Sequence, residues 1–157
     1  MQIMIFVLIA MLASDLPDPI LTFVRTPAFD TRVVQVEAGT LWNGKQMDFW
    51  FKRTVATNKA KAVWWTDTVR CPVSRSILIA AEGLEPPKVF TGANANEIIV
   101  TADGVGYSLR AMSQYPGYGV GNIQISSNKG TPLARWVDGS LRILDSCWSK
   151  TAPRARP

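Results

Sequence analysis

Two cysteines, Cys71 and Cys147, constrain this chain more than any other feature, because each adjoins a segment with the apolar spacing of an amphipathic helix. Cys71-Pro72 opens the first. Pro72 occupies the first helical position, Val73, Ile77, Ala80, Ala81 and Leu84 recur at helical spacing, and Gly83 stands where a helix stops. The second has Thr131 as N-cap and Pro132 next, with Leu133, Trp136, Val137, Leu141, Leu144 and Trp148 in one stripe. Cys147 falls on the side of Leu133, Val137 and Leu144. A bond between the start of one helix and the end of the other makes them antiparallel neighbours on one layer.

Such a bond requires an oxidising compartment. The N-terminus agrees, since the apolar run Ile3 to Ala13 has the length of a signal-peptide core and is too short to span a bilayer. Residues 1–14 therefore read as a signal peptide, although no Lys or Arg precedes the run. Asp15-Leu-Pro-Asp-Pro19 opens an extended linker over residues 15–30. Residues 31–149 form one domain, and 150–157 a basic flexible tail. A buried first strand or helix at 1–13, and two cytosolic thiols, are the competing readings.

Between the cysteines the pattern is that of strands. Asn43-Gly44 suits a two-residue turn with positive φ. Pairing about it collects Val34, Val36, Ala38, Thr40, Met47, Phe49 and Phe51 on one face, with Gln35, Glu37, Asp48, Trp50 and Lys52 on the other. A second hairpin about Asp103-Gly104 pairs Glu97–Ala102 with Val105–Arg110 and sets Glu97 against Arg110. Third strands follow at Lys61–Thr66 and Val120–Ser126, the latter with Ile123 and Ile125 inward. The expected fold is α+β: an antiparallel sheet of two hairpin-based meanders, two helices on one face, one disulfide. An all-β arrangement with Arg75–Ala81 as a strand is the alternative.

The chain has no histidine, which excludes Ser-His and Cys-His nucleophile systems and histidine-containing zinc sites. No metal or cofactor motif is present. Ser126 and Lys129 have Ser-x-x-Lys spacing, but Thr131-Pro132 starts the helix after both. Asp67, Glu82, Asp103 and Asp138 are the carboxylates available for hydrolysis, and each has a turn or surface role to fill. A net charge of +5 reads as a solvated basic surface, with an anionic surface or another envelope protein as the candidate partners, while the zinc, helix-turn-helix and aromatic RNA signatures of nucleic-acid binding are missing.

Any recognition centres on the glycine-rich loop Ser113–Gly121, whose Tyr115 and Tyr118 have the character of aromatic binding anchors; the competing reading tucks them over the sheet edge to close the domain. Trp50, on the face assigned to solvent, and the cations Lys52 and Arg110 complete the expected binding set. The sequence thus reads as an exported, periplasmic or secreted, non-catalytic binding or structural envelope module without a transmembrane segment in its mature chain. A small secreted enzyme inhibitor and a carboxylate-dependent hydrolase are the alternatives.

Overall fold

The computed structural model describes residues 16–88, 91, 104–115 and 117–154. The described residues form one six-stranded antiparallel sheet and two helices, an α+β fold. Its strands are β1 (Leu21–Thr26), β2 (Val33–Trp42), β3 (Met47–Ala56), β4 (Lys61–Asp67), β5 (Gly106–Tyr115) and β6 (Gly119–Asn128). They lie in the order β4-β3-β2-β1-β5-β6. Helix α1 (Arg75–Glu82) follows a 3-10 turn at Pro72–Ser74, and α2 (Pro132–Leu144) follows β6.

Alternation decides which face of the sheet the helices cover. Leu21 and Phe23 of β1, Val36 and Ala38 of β2, Phe51 of β3, and Tyr107 and Leu109 of β5 are buried on one side. They pack against Ile77 of α1 and against Leu133, Trp136, Val137 and Leu144 of α2. Thr131 caps α2 by accepting from Ala134 N, as its sequence signature requires. The Trp136 indole meets Phe23 edge-on at 4.9 Å and donates to the Ile77 carbonyl at 3.2 Å, joining both helices and the sheet.

Cys71 and Cys147 are bridged, with Cα atoms 5.8 Å apart and 76 positions between them in sequence. Ile77 meets Trp136 while Cys71 meets Cys147, so the two helices run antiparallel. A closure of this length is worth about 4–5 kcal/mol on the chain-entropy account. Within α1 the expected stripe narrows: Ile77 is buried and Leu78, Ala81 and Leu84 are partly so, whereas Val73 and Ala80 face solvent.

Four expectations change. The segment 15–30 is no linker, because Leu21–Thr26 is the central strand β1, with Leu21 and Phe23 entering the core. The β2–β3 turn takes four residues: Asn43 Oδ1 accepts from Lys45 N and Gln46 N, and Gly44 adopts positive φ, at 82°. This displaces the register by two positions, so Ala38 faces Phe51 and not Phe49, and an even displacement preserves both faces. The hairpin about Asp103-Gly104 lies partly outside the described residues, and both edges of Gly106–Ala111 are occupied, by β1 and β6. Arg110 faces Thr22 and Gln124. The tail is docked as far as Arg154: Ser149 bridges Trp65 on β4, Arg70 donates to the Thr151 carbonyl at 3.0 Å, and Pro153 is buried.

Candidate functional site

Beyond the helices, β5 and β6 continue as an arm. They pair over ten residues without a bulge, from Gly106 opposite Asn128 to Tyr115 opposite Gly119, whereas β1 accompanies β5 only to Ala111. One more backbone bond, Met112 N to Ile20 O at 2.9 Å, ends that contact. Ser113–Tyr115 and Gly119–Gly121 therefore project as a two-stranded ribbon. Its tip closes through Gly117 and Gly119, with φ of 81° and 113°, a region that favours glycine. Tyr118 stands on this tip at 92% exposure, and Val120 and Met112 are 70% and 55% exposed along the arm.

Where the arm joins the domain, the helical layer ends early. The C-terminus of α1 leaves a groove of about 530 Å³ against β1, β5 and β6, lined by Ile20, Leu78, Ala81, Leu84, Met112 and Ile123 among others. Glu82 is its one charged lining residue. Ile125 points inward as its alternation requires; Ile123 lies on the same face but is only partly covered, because α1 stops short of it. On the far side of Ile125 lies a second hollow of about 270 Å³, walled by Pro86, Pro87, Lys88, Pro132 and Leu133.

The face opposite the helices carries a polar row running across five strands, Lys52–Glu37–Thr22–Arg110–Gln124. Lys52 is already paired, 2.8 Å from Glu37 and over the Trp65 ring at 5.6 Å. Arg110 is exposed and has no ion pair among the described residues. Both cations sit on the expected face, three strands or about 14 Å apart. Trp50 is on that face too, but not as an exposed anchor. It is only 4% exposed, tilted against Trp65 at 6.0 Å and lying over Gly39, where a Cβ would stand within 2.5 Å of the indole. The fold does not gather the expected binding residues into one groove: Lys52 and Arg110 share a row, Trp50 lies beneath the surface, and Tyr115 and Tyr118 belong to the arm.

Of the acids available for hydrolysis, Asp67 and Asp138 are committed elsewhere, Glu82 stands exposed at the end of α1, and Asp103 lies outside the described residues. Buried Asp48 accepts from Asn43, Gln46, Thr68 and Arg75. Asp67 accepts from Val69 N at 3.0 Å and Arg70 N at 2.7 Å, turning the chain before Cys71. These two carboxylates, with Arg70 and Arg154 and apolar Leu41, Trp42 and Val69, line a cavity of about 460 Å³ that the docked tail helps close. Asp138 is not simply outward-facing: it accepts from the Tyr107 hydroxyl at 2.9 Å and pairs with Arg25 at 3.2 Å. Burial, then the bond to Asp138, pushes the Tyr107 phenol above its ordinary value. Ser126 lies in β6 with Lys129 beyond its end, so no helical turn joins them.

Sequence reasoning missed two features. The Arg53 guanidinium lies on the core-facing side of β3, 4.6 Å from the Trp64 ring and 4.8 Å from that of Trp148, and burial lowers its pKa. Arg53 continues the inward parity of Phe49 and Phe51, but its partners come from β4 and from a C-terminal segment far away in sequence. The apolar groove was likewise invisible, because it arises from where α1 ends relative to Ile123. Among the described residues no helix is long and apolar enough to cross a membrane, and no cluster of three or more Cys, Asp or Glu is placed to hold a metal. Comparison of the chain with family models, with curated proteins and with solved structures finds no match.

Proposed function

We propose that this protein is an exported, periplasmic or secreted, non-catalytic binding module that engages another envelope protein through its β5–β6 arm. The observation that carries this reading is the concentration of exposed apolar side chains, Tyr118, Val120 and Met112, on a projecting ribbon. Scattered exposed apolar residues need no explanation, but a contiguous set on a projecting element marks an interaction surface. The disulfide and the apolar N-terminal run support export. The net +5 charge supports an anionic partner surface.

The same arm favours the inhibitor reading as second choice. A tyrosine at the apex of a narrow ribbon has the shape of a wedge for a cleft in another protein. A photo-crosslinking amino acid at position 118, incorporated during expression in the native envelope, tests both readings. A discrete adduct is expected, absent when the crosslinker is moved to the exposed β3–β4 turn at Lys59. No adduct, or the same adducts from both positions, refutes the assignment. Identification of the adduct as a single hydrolase selects the inhibitor.

A further inference from the structure

The segment that follows α2 is a strap on the edge of β4. Leu144, fully buried, ends the helix against the sheet, and the chain passes through the 3-10 turn Asp145–Cys147 into extended backbone at Trp148. From there it meets the domain at separate points. Trp65 N donates to Ser149 O at 2.7 Å and Ser149 N to Trp65 O at 2.9 Å, a bridge of a single residue pair. Lys150 lies 3.8 Å over the Trp64 ring, Arg70 donates to Thr151 O at 3.0 Å, and Pro153 is buried at the cavity shared with Asp48 and Asp67.

Docking the strap leaves polar groups without partners. Trp148 covers Arg53, whose guanidinium lies 4.8 Å from its ring and 4.6 Å from that of Trp64. Arg53 Nε and Trp148 Nε1 are both buried, and neither finds an acceptor among the described residues. A buried donor without an acceptor and a cation taken from water both disfavour the state that buries them, and the ring faces compensate only in part. Both donors regain water once Trp148 lifts away. The disulfide opposes that release. Cys147, immediately before Trp148, is bonded to Cys71, which is only 2% exposed at the head of the 3-10 turn leading into α1. Such a tether holds the strap at high effective concentration over its site. The core contacts of α2, through Leu133, Trp136, Val137 and Leu144, all precede the bond in sequence and are made without it.

We infer that the Cys71–Cys147 disulfide is a redox latch: its reduction by a dithiol releases the strap from Trp148 onward and uncovers the β4 edge at Trp65 and the adjoining cavity, while the sheet and both helices stay folded. Cys147 is the partly exposed partner, so the attacking thiolate reaches its sulfur and Cys71 departs as the thiolate. The second thiol of the reductant then displaces Cys147. One S–S bond breaks, two electrons and two protons pass to the two cysteines, and the reductant leaves as a disulfide. The latch is separate from the β5–β6 arm, so the crosslinking result at position 118 does not bear on it.

Hydrogen exchange of the purified protein, before and after dithiothreitol in oxygen-free buffer at neutral pH, tests the latch. The Trp65 and Ser149 amides report the bridge, and the amides of β1, the central strand, report the sheet. In the reduced protein Trp65 and Ser149 should exchange within about tenfold of an unstructured peptide, with β1 at least about a hundredfold slower than they are. Urea unfolding should remain cooperative at a lower midpoint. Trypsin should cut after Lys150 about tenfold or more faster than in the oxidised protein, and reoxidation should restore both the protection and the resistance. Cys71→Ala/Cys147→Ala should reproduce the reduced state without reductant; if that variant does not fold, the reduced parent decides alone. Trp65 protection that survives reduction overturns the inference, because the strap then holds without its latch. Loss of the cooperative transition, or of protection in β1 together with Trp65, overturns it equally, because the bond then holds the whole domain.

Discussion

Replacing Trp136 tests the packing that positions everything else. The side chain is 9% exposed, contacts Phe23 edge-on and donates to Ile77 O, so Trp136→Ala removes three contributions at once. Truncating a buried Trp costs about 3–5 kcal/mol. Within that sum, the ring pair accounts for about 0.5–1.5 kcal/mol and the hydrogen bond for about 1 kcal/mol. Trp136→Phe retains most of the apolar area and should cost about 1–2 kcal/mol, chiefly the hydrogen bond and residual space. A double-mutant cycle with Phe23→Leu should return a coupling of about 0.5–1.5 kcal/mol. The assay is urea unfolding at neutral pH with the disulfide intact in every variant, so that all unfolded states share the same closure; the m-value should not change. A loss below about 1 kcal/mol for Trp136→Ala would mean that α2 does not pack on the sheet as described.

Three further outcomes follow from particular contacts. Gly39→Ala places a Cβ into the Trp50 indole and should destabilise by about 1–3 kcal/mol through overpacking, read by urea unfolding; a neutral effect would free Trp50 to be the exposed anchor it was first expected to be. Tyr118→Ala should leave the melting temperature within about 1 °C of the parent while removing the position-118 crosslink partner from pull-downs, since little is buried at the tip; a large drop in melting temperature would make the tyrosine structural. Stability should fall as pH rises above about 10, because the unfolded Tyr107 phenol ionises there before the folded one does, and below that pH both states hold the proton. Tyr107→Phe should flatten this alkaline decline, and an identical slope in the variant would remove the cause.

Local signals were legible where local chemistry decides. Thr131-Pro132 opens α2, Gly83 ends α1, and the parity of Val36, Ala38 and Phe51 places them in the core whichever turn length is chosen. Turn length was not legible, because Asn43 side-chain acceptance from Lys45 and Gln46 competes with the tight Asn-Gly turn and wins. β1 hid behind Pro17 and Pro19, and its six residues acquire meaning only between β2 and β5. The loop proposed for recognition was marked by its tyrosines and glycines. That it crowns a free-standing arm depends on β1 stopping at the partner of Ala111, a long-range fact with no sequence signature. Trp50 illustrates the same limit: alternation assigned its face correctly, yet Gly39 across the strand pair decides that it is buried.

The account rests on an exported domain closed by Cys71 and Cys147, and intact mass combined with maleimide labelling of the protein recovered from its own cells tests that directly. The result expected is an envelope-located chain shortened near Ser14, two hydrogens lighter than its reduced form, with no reactive thiol before reduction and two after it. A full-length cytoplasmic chain whose two cysteines label without reductant would contradict it.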